Sequence, residues 1–121
     1  MKRDMELIRK ILLAVEASPS AYAPYPLIIK GYTDTQTAYH SYLLIDAGLV
    51  HGHVSIELDS ESPLAPIEKL TWAGHEFLDA ARDDTRWKKV TRTLLEKGET
   101  VTIGVLQGLL VAAMKSAVGL P

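Results

Sequence analysis

Apolar residues near the start of the chain recur at intervals of three and four residues, which is the spacing of one face of an α-helix. This stripe consists of Met5, Ile8, Leu12 and Val15. Asp4 can cap the helix, because its carboxylate can accept the free backbone N–H groups of the first turn. Pro19 stops it, since the residue before a proline is pushed out of the α region. The pattern predicts a core helix from Asp4 to about Ala17.

The second helical pattern follows a stretch that favours irregular structure. Residues 19–33 contain three prolines and then a short apolar run, which predicts a loop and one short strand. Thr33 or Asp34 can cap the next helix, which should run to about Ala47 before Gly48 takes a left-handed conformation. A helical projection places Ala38, Tyr42 and Ile45 toward the core. It places the polar side chains of Gln36, Thr37, His40 and Ser41 on the opposite, solvated side.

The remaining pattern predicts a hairpin and three further helices. Residues 49–58 alternate as a strand with Val50, Val54, Ile56 and Leu58 mostly on one face, residues 59–63 form a turn, and residues 66–70 form the returning strand. Thr71 caps a helix that contains Trp72, Phe77, Leu78 and Ala81, and a more polar helix runs from about Asp84 to Lys97. The tail, residues 101–118, is apolar almost all round and is expected to be buried, in part against a second copy of the chain.

Two motifs in this order indicate the fold class. LLIDAGLV (Leu43–Val50) predicts a helix that reverses at Gly48 into a strand, and LTWAGHEFL (Leu70–Leu78) predicts a strand that turns into a helix capped by Thr71. At hairpin spacing they predict an α+β, winged helix-turn-helix-like domain with additional C-terminal helices. A standard winged helix has a second helix within residues 19–33, and the sequence leaves open whether one forms there. We expect a single domain over residues 1–121, with the winged core at about 4–83 and a helical extension at about 84–118.

Longer segments carry a resemblance to a known family. MKRDMELIRKILLAVE, YHSYLLIDAGLV and LTWAGHEFLDAARDDTRWKKV resemble an uncharacterised family of small bacterial and prophage proteins, domain of unknown function number 2513. The resemblance covers the chain through roughly Val90. It implies a winged-helix-like fold and a mobile-element setting, and it implies no catalytic residue, ligand or partner.

Composition and charge restrict the function classes. The chain has 121 residues and a formal net charge of -2, whereas dedicated nucleic-acid binders are more often basic. No cysteine is present, which excludes disulfides and thiolate metal sites and fits a cytoplasmic protein. The N-terminal segment carries charges among its apolar positions, so we expect neither a signal peptide nor a membrane span.

A DNA-binding function would use the second helix and local basic residues. Gln36, Thr37 and His40 would enter the groove, while Lys30 and the later Arg86, Lys88 and Lys89 would meet phosphates. The second helix contains no arginine or lysine, and the turn of the hairpin is acidic. A merely solvated helix face is therefore the simpler interpretation of these polar positions. Trp87, which lies among the basic residues, is expected to pack in the core.

No catalytic constellation emerges. His75, Glu76 and Asp79 lie on one helix, but a zinc-protease helix would need a histidine at position 79, and spacing identifies no third ligand. His51 and His53 could bind a metal only weakly. We therefore expect neither an enzyme nor a cofactor. The leading hypothesis is a homodimeric DNA-binding or transcription-regulatory module with double-stranded DNA as its partner. The alternative is a protein-interaction module such as an adaptor, antitoxin or anti-defence protein.

Overall fold

The computed structural model describes all residues from 1 to 121 and has an α+β architecture of five helices and one small sheet. In chain order the elements are α1 (Met5–Glu16), α2 (Asp34–Asp46), β1 (Val50–Gly52), β2 (Ile67–Leu70), α3 (Trp72–Ala81), α4 (Asp84–Glu96) and α5 (Ile103–Ala117). The chain divides into two compact units, Met1–Glu76 and Phe77–Pro121, and the division falls within α3.

Helix α1 forms the centre of the first unit. One carboxylate oxygen of Asp4 accepts hydrogen bonds from the backbone N–H groups of Glu6 and Leu7, which confirms the predicted cap. The predicted apolar stripe is buried, and Leu7 and Ile11 are buried beside it. α1 packs against α2 and β2, so most of its circumference is covered within this unit.

The segment between α1 and α2 contains no helix and no strand. The predicted loop is confirmed, and the predicted short strand is wrong. The backbone N–H of Ala23 donates to the carbonyl of Glu68 in β2 at 2.8 Å, which ties the segment to the edge of the sheet. Pro24 and Pro26 follow directly, and since proline has no N–H to donate, the ladder cannot continue.

Helix α2 has the predicted ends but not the predicted orientation. Thr33 and Gln36 form a reciprocal capping box, and Gly48 follows the helix with a φ of 76°. The prediction that Ala38, Tyr42 and Ile45 face the core was wrong, because all three are only half-buried. The buried positions of α2 are Thr37, His40, Ser41 and Leu44.

Strands β1 and β2 form an antiparallel hairpin, as predicted, but the hairpin is paired over a shorter length. Val50 lies opposite Leu70 and His51 opposite Lys69, and the register then shifts at Gly52. Farther out, only one isolated bridge joins Ser55 and Leu64. Two prolines on the returning arm explain the shortening, because Pro63 and Pro66 cannot donate hydrogen bonds to the first arm.

The two sequence motifs meet where α2 turns into β1. The Thr71 hydroxyl donates to the carbonyl of Gly48 at 2.6 Å and accepts from the backbone N–H of Gly74 at 3.0 Å. A Cβ atom built on Gly74 would lie 2.0 Å from the carbonyl oxygen of Leu49. Glycine at position 74 therefore permits the first turn of α3 to lie directly on the helix-to-strand turn.

The second unit contains the end of α3 together with α4 and α5, and α4 packs against α5. Asp83 caps α4, Gly98 follows it with a φ of 69°, and Trp87 is buried as predicted. A single copy of the chain buries the tail only in part, and its burial against a second copy stays a prediction. α5 buries Leu106 and Leu110, whereas Val105 and Leu109 are exposed.

None of the five helices combines the length and the apolar character needed to cross a bilayer.

Candidate functional site

His40 is the most deeply buried of the residues predicted to contact DNA, with 1% of its surface exposed. Its Nε2 accepts a hydrogen bond from the backbone N–H of Asp4 at 2.8 Å, and its Nδ1 lies 2.8 Å from the carbonyl oxygen of Gln36. Since that carbonyl can only accept, the proton is assigned to Nδ1 and the ring is neutral. His40 thus connects the start of α1 to α2.

Tyr32 belongs to the same network. Burial raises the pKa of the Tyr32 phenol above its ordinary value of 10.0, and the negative charges of Asp4 and Glu6 raise it further. The Lys10 ammonium lies 5.4 Å from the centre of the Tyr32 ring, within the range of a cation–π contact. These contacts hold the start of α1 in place.

Gln36 and Thr37 also have structural surroundings. The Gln36 side chain accepts from the backbone N–H of Thr33 at 2.9 Å, so its amide is engaged in the cap. Thr37 is buried, with 5% of its surface exposed. DNA contact by Gln36, Thr37 and His40 stays a prediction, and the burial of Thr37 and His40 makes it unfavourable.

The predicted phosphate-binding residues lie on two different elements. Lys30 is exposed in the loop before α2. Arg86, Lys88 and Lys89 lie on α4 in the second unit, where Lys88 pairs with Asp84 at 2.9 Å. Lys89 is exposed and has no carboxylate partner, and Arg86 is half-buried.

The tip of the hairpin exposes large apolar side chains in the first unit. Ile56 is 83% exposed and Leu58 is 95% exposed, and Val54 lies on the same arm. Glu57, Asp59 and Glu61 are exposed beside them. Isolated exposed apolar residues are ordinary, but large aliphatic side chains grouped at one tip mark a surface suited to contact with another molecule.

The charge of the surrounding chain has one sign. Residues 31–68, which contain α2 and most of the hairpin, include six Asp or Glu residues and no Lys or Arg. Within this segment the full charges are all negative and would repel a phosphate backbone, although the exposed Lys30 and Lys69 lie directly at its two ends. The charge therefore disfavours the contact of a winged helix with DNA through its helix and wing.

The histidines and carboxylates that the sequence offered as candidate metal ligands do not form a cluster. No group of three or more His, Cys, Asp or Glu side chains in the chain is placed to hold a metal ion. Asp79 instead accepts a 2.7 Å hydrogen bond from Arg82.

Sequence reasoning missed several exposed features. Trp72 is 81% exposed at the start of α3, and Ile56 and Leu58 project from the hairpin instead of packing on one face of a strand. The absence of Lys and Arg from residues 31–68 was visible in the sequence and could have identified this acidic segment. No sequence signal indicated the side-chain burial on α2.

The comparisons with known proteins assign a family without assigning an activity. The chain belongs to the family described as "Hypothetical protein (DUF2513)", whose model matches residues 2–100. It is 36% identical over 110 residues to a protein of Haemophilus influenzae described as uncharacterized, and the match covers 88% of this chain and 90% of that relative. No solved structure matches the chain.

Proposed function

We propose that this member of the family is a protein-interaction module with a winged-helix-like first unit, and that its hairpin and α2 form the binding face. The observation that carries the proposal is the pair of exposed aliphatic side chains, Ile56 and Leu58, within a segment that contains no Lys or Arg. The same arrangement disfavours the use of this face on nucleic acid.

The physical chemistry of interfaces supports this choice. Burying a fully exposed isoleucine or leucine side chain contributes about 1.5–3 kcal/mol. Interfaces combine an apolar centre with a polar rim, and the charges of the rim steer the approach of a complementary partner. At the hairpin tip the apolar centre would be Ile56 and Leu58, and the rim would be Glu57, Asp59 and Glu61. The partner should therefore present an apolar pocket within a basic surface.

The winged-helix assignment is part of the proposal. It is supported by the order of α1, α2, the antiparallel hairpin and α3, and by the Thr71 hydroxyl that joins the turn after α2 to the start of α3. The segment that would hold the second helix of a standard winged helix is irregular. We propose a regulatory role in a bacterial or prophage cytoplasm, as an adaptor, antitoxin or anti-defence protein.

DNA binding through α4 is the second candidate. It is favoured by the exposed, unpaired Lys89 and Arg92, which lie three residues apart and therefore on one side of the helix. A mobility-shift assay on fragments of the native operon, repeated across salt concentrations, tests this candidate. No shift at low salt would eliminate it, because phosphate neutralisation is strongest there.

Self-association through α5 is a separate part of the proposal. The exposed Val105 and Leu109 lie four residues apart on one side of the helix, and their burial against a second copy would remove apolar surface from water. We propose a homodimer formed through this face.

The interaction proposal is tested by affinity capture of the full chain from a nuclease-treated extract of the source organism. The wild-type protein should retain a stoichiometric protein partner, and the variant with both Ile56→Ser and Leu58→Ser should lose it. A matched variant, Val118→Ser with Leu120→Ser, also replaces two exposed aliphatic residues and should retain the partner. Equal retention by both variants would contradict the proposal.

A further inference from the structure

A cavity of about 210 Å³ lies within the first unit. Its walls are the loop at residues 24–27, the first half of α2 and residues 64–67 of the returning hairpin arm. All three segments belong to the unit Met1–Glu76. Pro24, Pro26, Leu64 and Ile67 make much of the lining apolar.

Two hydroxyl groups of α2 face this cavity without partners. Thr37 and Ser41 lie four residues apart, line the cavity, and are only 5% and 4% exposed. Neither hydroxyl makes a hydrogen bond within the chain, although every fully buried polar side-chain atom has a partner. Both oxygens therefore keep a small accessible surface, and both residues line the cavity. Nearly buried hydroxyls are normally satisfied by protein groups or by ordered water, and these two are available to accept hydrogen bonds from a donor that enters the cavity.

The electrostatics of the rim indicate the sign of the ligand's charge. Asp34 lines the cavity, is exposed, and has no ion-pair partner. No Lys or Arg occurs between residues 31 and 68, and the nearby Lys30 forms no ion pair with Asp34. The amino end of α2 contributes a partial positive charge, which is smaller than the full negative charge of Asp34. Tyr25 is 62% exposed at the cavity and offers the face of an aromatic ring, which attracts cations.

The size of the cavity restricts the ligand further. The volume of the cavity is about 210 Å³. Pockets for cofactors and drug-sized ligands are larger, at about 300–1,000 Å³. The cavity therefore suits one long side chain better than a nucleotide or a cofactor.

We propose that this cavity is an anchor pocket for an arginine side chain of the partner protein. The guanidinium carries only N–H donors, and the carboxylate of Asp34 and the hydroxyls of Thr37 and Ser41 supply acceptors for them. The aliphatic part of arginine would lie along the apolar wall, and Tyr25 would contact the cation. The inference rests on the proposed function, because it names the partner group that the same acidic unit would recognise.

The test uses the full chain and small probes, without the partner. Amide resonances of the isotope-labelled protein are followed by NMR while N-acetyl-arginine methylamide is added. We expect saturable shifts at Asp34, Thr37 and Ser41, with a dissociation constant on the order of 1 mM, which is typical of a ligand of this size. The glutamate and leucine derivatives should leave these resonances unchanged at the same concentrations. No saturable shift with the arginine derivative, or equal shifts with the glutamate derivative, would overturn the proposal.

Two further comparisons test which residues form the binding site and whether its ligand is a polypeptide. Asp34→Asn should weaken binding roughly three- to tenfold, as expected for loss of a partly exposed charge partner, and Asp46→Asn, at the other end of α2, should not. Ser41→Ala should also weaken binding of the arginine derivative, provided that the spectrum of the variant shows the native fold.

An Ala-Arg-Ala peptide with blocked ends should bind more tightly than butylguanidine. The reverse order of affinities would exclude a polypeptide ligand. The outcome of the capture experiment with the hairpin variants does not depend on these titrations. The proposed protein-interaction function and the proposed arginine pocket can therefore be contradicted separately.

Discussion

At the residue scale, His40 is a polar side chain that was predicted to contact DNA and instead has a structural role. Both ring nitrogens are used, one as an acceptor from Asp4 and one toward Gln36. The backbone N–H of Asp4 precedes the first turn of α1 and has no partner within that helix, so the imidazole satisfies a group that would otherwise be unpaired. The contact fixes the start of α1 on α2.

Replacing His40 by alanine should lower the free energy of unfolding by about 1–3 kcal/mol, because it leaves a part-buried N–H unsatisfied and opens a void. Urea unfolding followed by circular dichroism measures the change. His51→Ala, at an exposed position of β1, is the matched control and should stay within about 0.5 kcal/mol of wild type. Equal stability of the two variants would contradict the role assigned to His40.

Tyr32 provides a pH-dependent prediction. Its raised pKa means that the folded chain keeps the phenolic proton at a pH where the unfolded chain has lost it. Stability from this group is therefore fully present below about pH 10 and is lost as the pH rises through the folded value. The melting temperature of wild type should fall more steeply between neutral and strongly alkaline pH than that of Tyr32→Phe. Parallel profiles would show that Tyr32 does not titrate abnormally.

At the element scale, the sequence predicted helix ends better than helix faces. The caps at Asp4 and Thr33 and the reversal at Gly48 depend on neighbouring residues alone, so a local pattern is sufficient to find them. The buried face of α2 depends on what packs against it. Apolar residues lie on several sides of α2, and Thr37 and His40 face inward because one is small and the other is hydrogen-bonded, which no periodicity encodes.

The contact between α3 and the turn after α2 gives the element-scale prediction. Gly74→Ala should destabilise the chain by several kcal/mol or prevent folding, because its Cβ would overlap the Leu49 carbonyl oxygen. Gly108→Ala is the control, since a Cβ there meets no atom within 4 Å. That variant should gain about 0.5–1 kcal/mol from the better helix propensity of alanine. Thermal unfolding of both variants makes the comparison, and a neutral Gly74→Ala would contradict the close approach.

At the scale of the whole molecule, the distribution of charge separates two functions that the net charge of -2 does not. The acidic segment at residues 31–68 could have been found from the sequence. The anchor pocket could not, because it forms only when residues 64–67 pack near residues 24–41. The absence of hydrogen-bond partners for its two hydroxyls is also visible only in the structure. Likewise, the sequence of the apolar tail did not predict which of its residues would be exposed to solvent.

The exposed face of α5 predicts the oligomeric state. Size-exclusion chromatography with light scattering should give a dimer for wild type, and Leu109→Glu should shift it toward monomer, because a charge would be buried in the interface. Leu95→Glu makes the same change at an exposed position of α4 and should remain dimeric. A wild-type protein that stays monomeric at high micromolar concentration would remove the dimer from the proposal.

The most direct test of the binding face is site-specific photo-crosslinking in living cells. A photoreactive amino acid is placed at position 58, at the hairpin tip, and in a second protein at position 89, on α4. The proposed function predicts a discrete crosslinked protein from position 58 that persists after nuclease treatment, and no nucleic acid from either position. Crosslinked nucleic acid from position 89, with no protein captured from position 58, would contradict it.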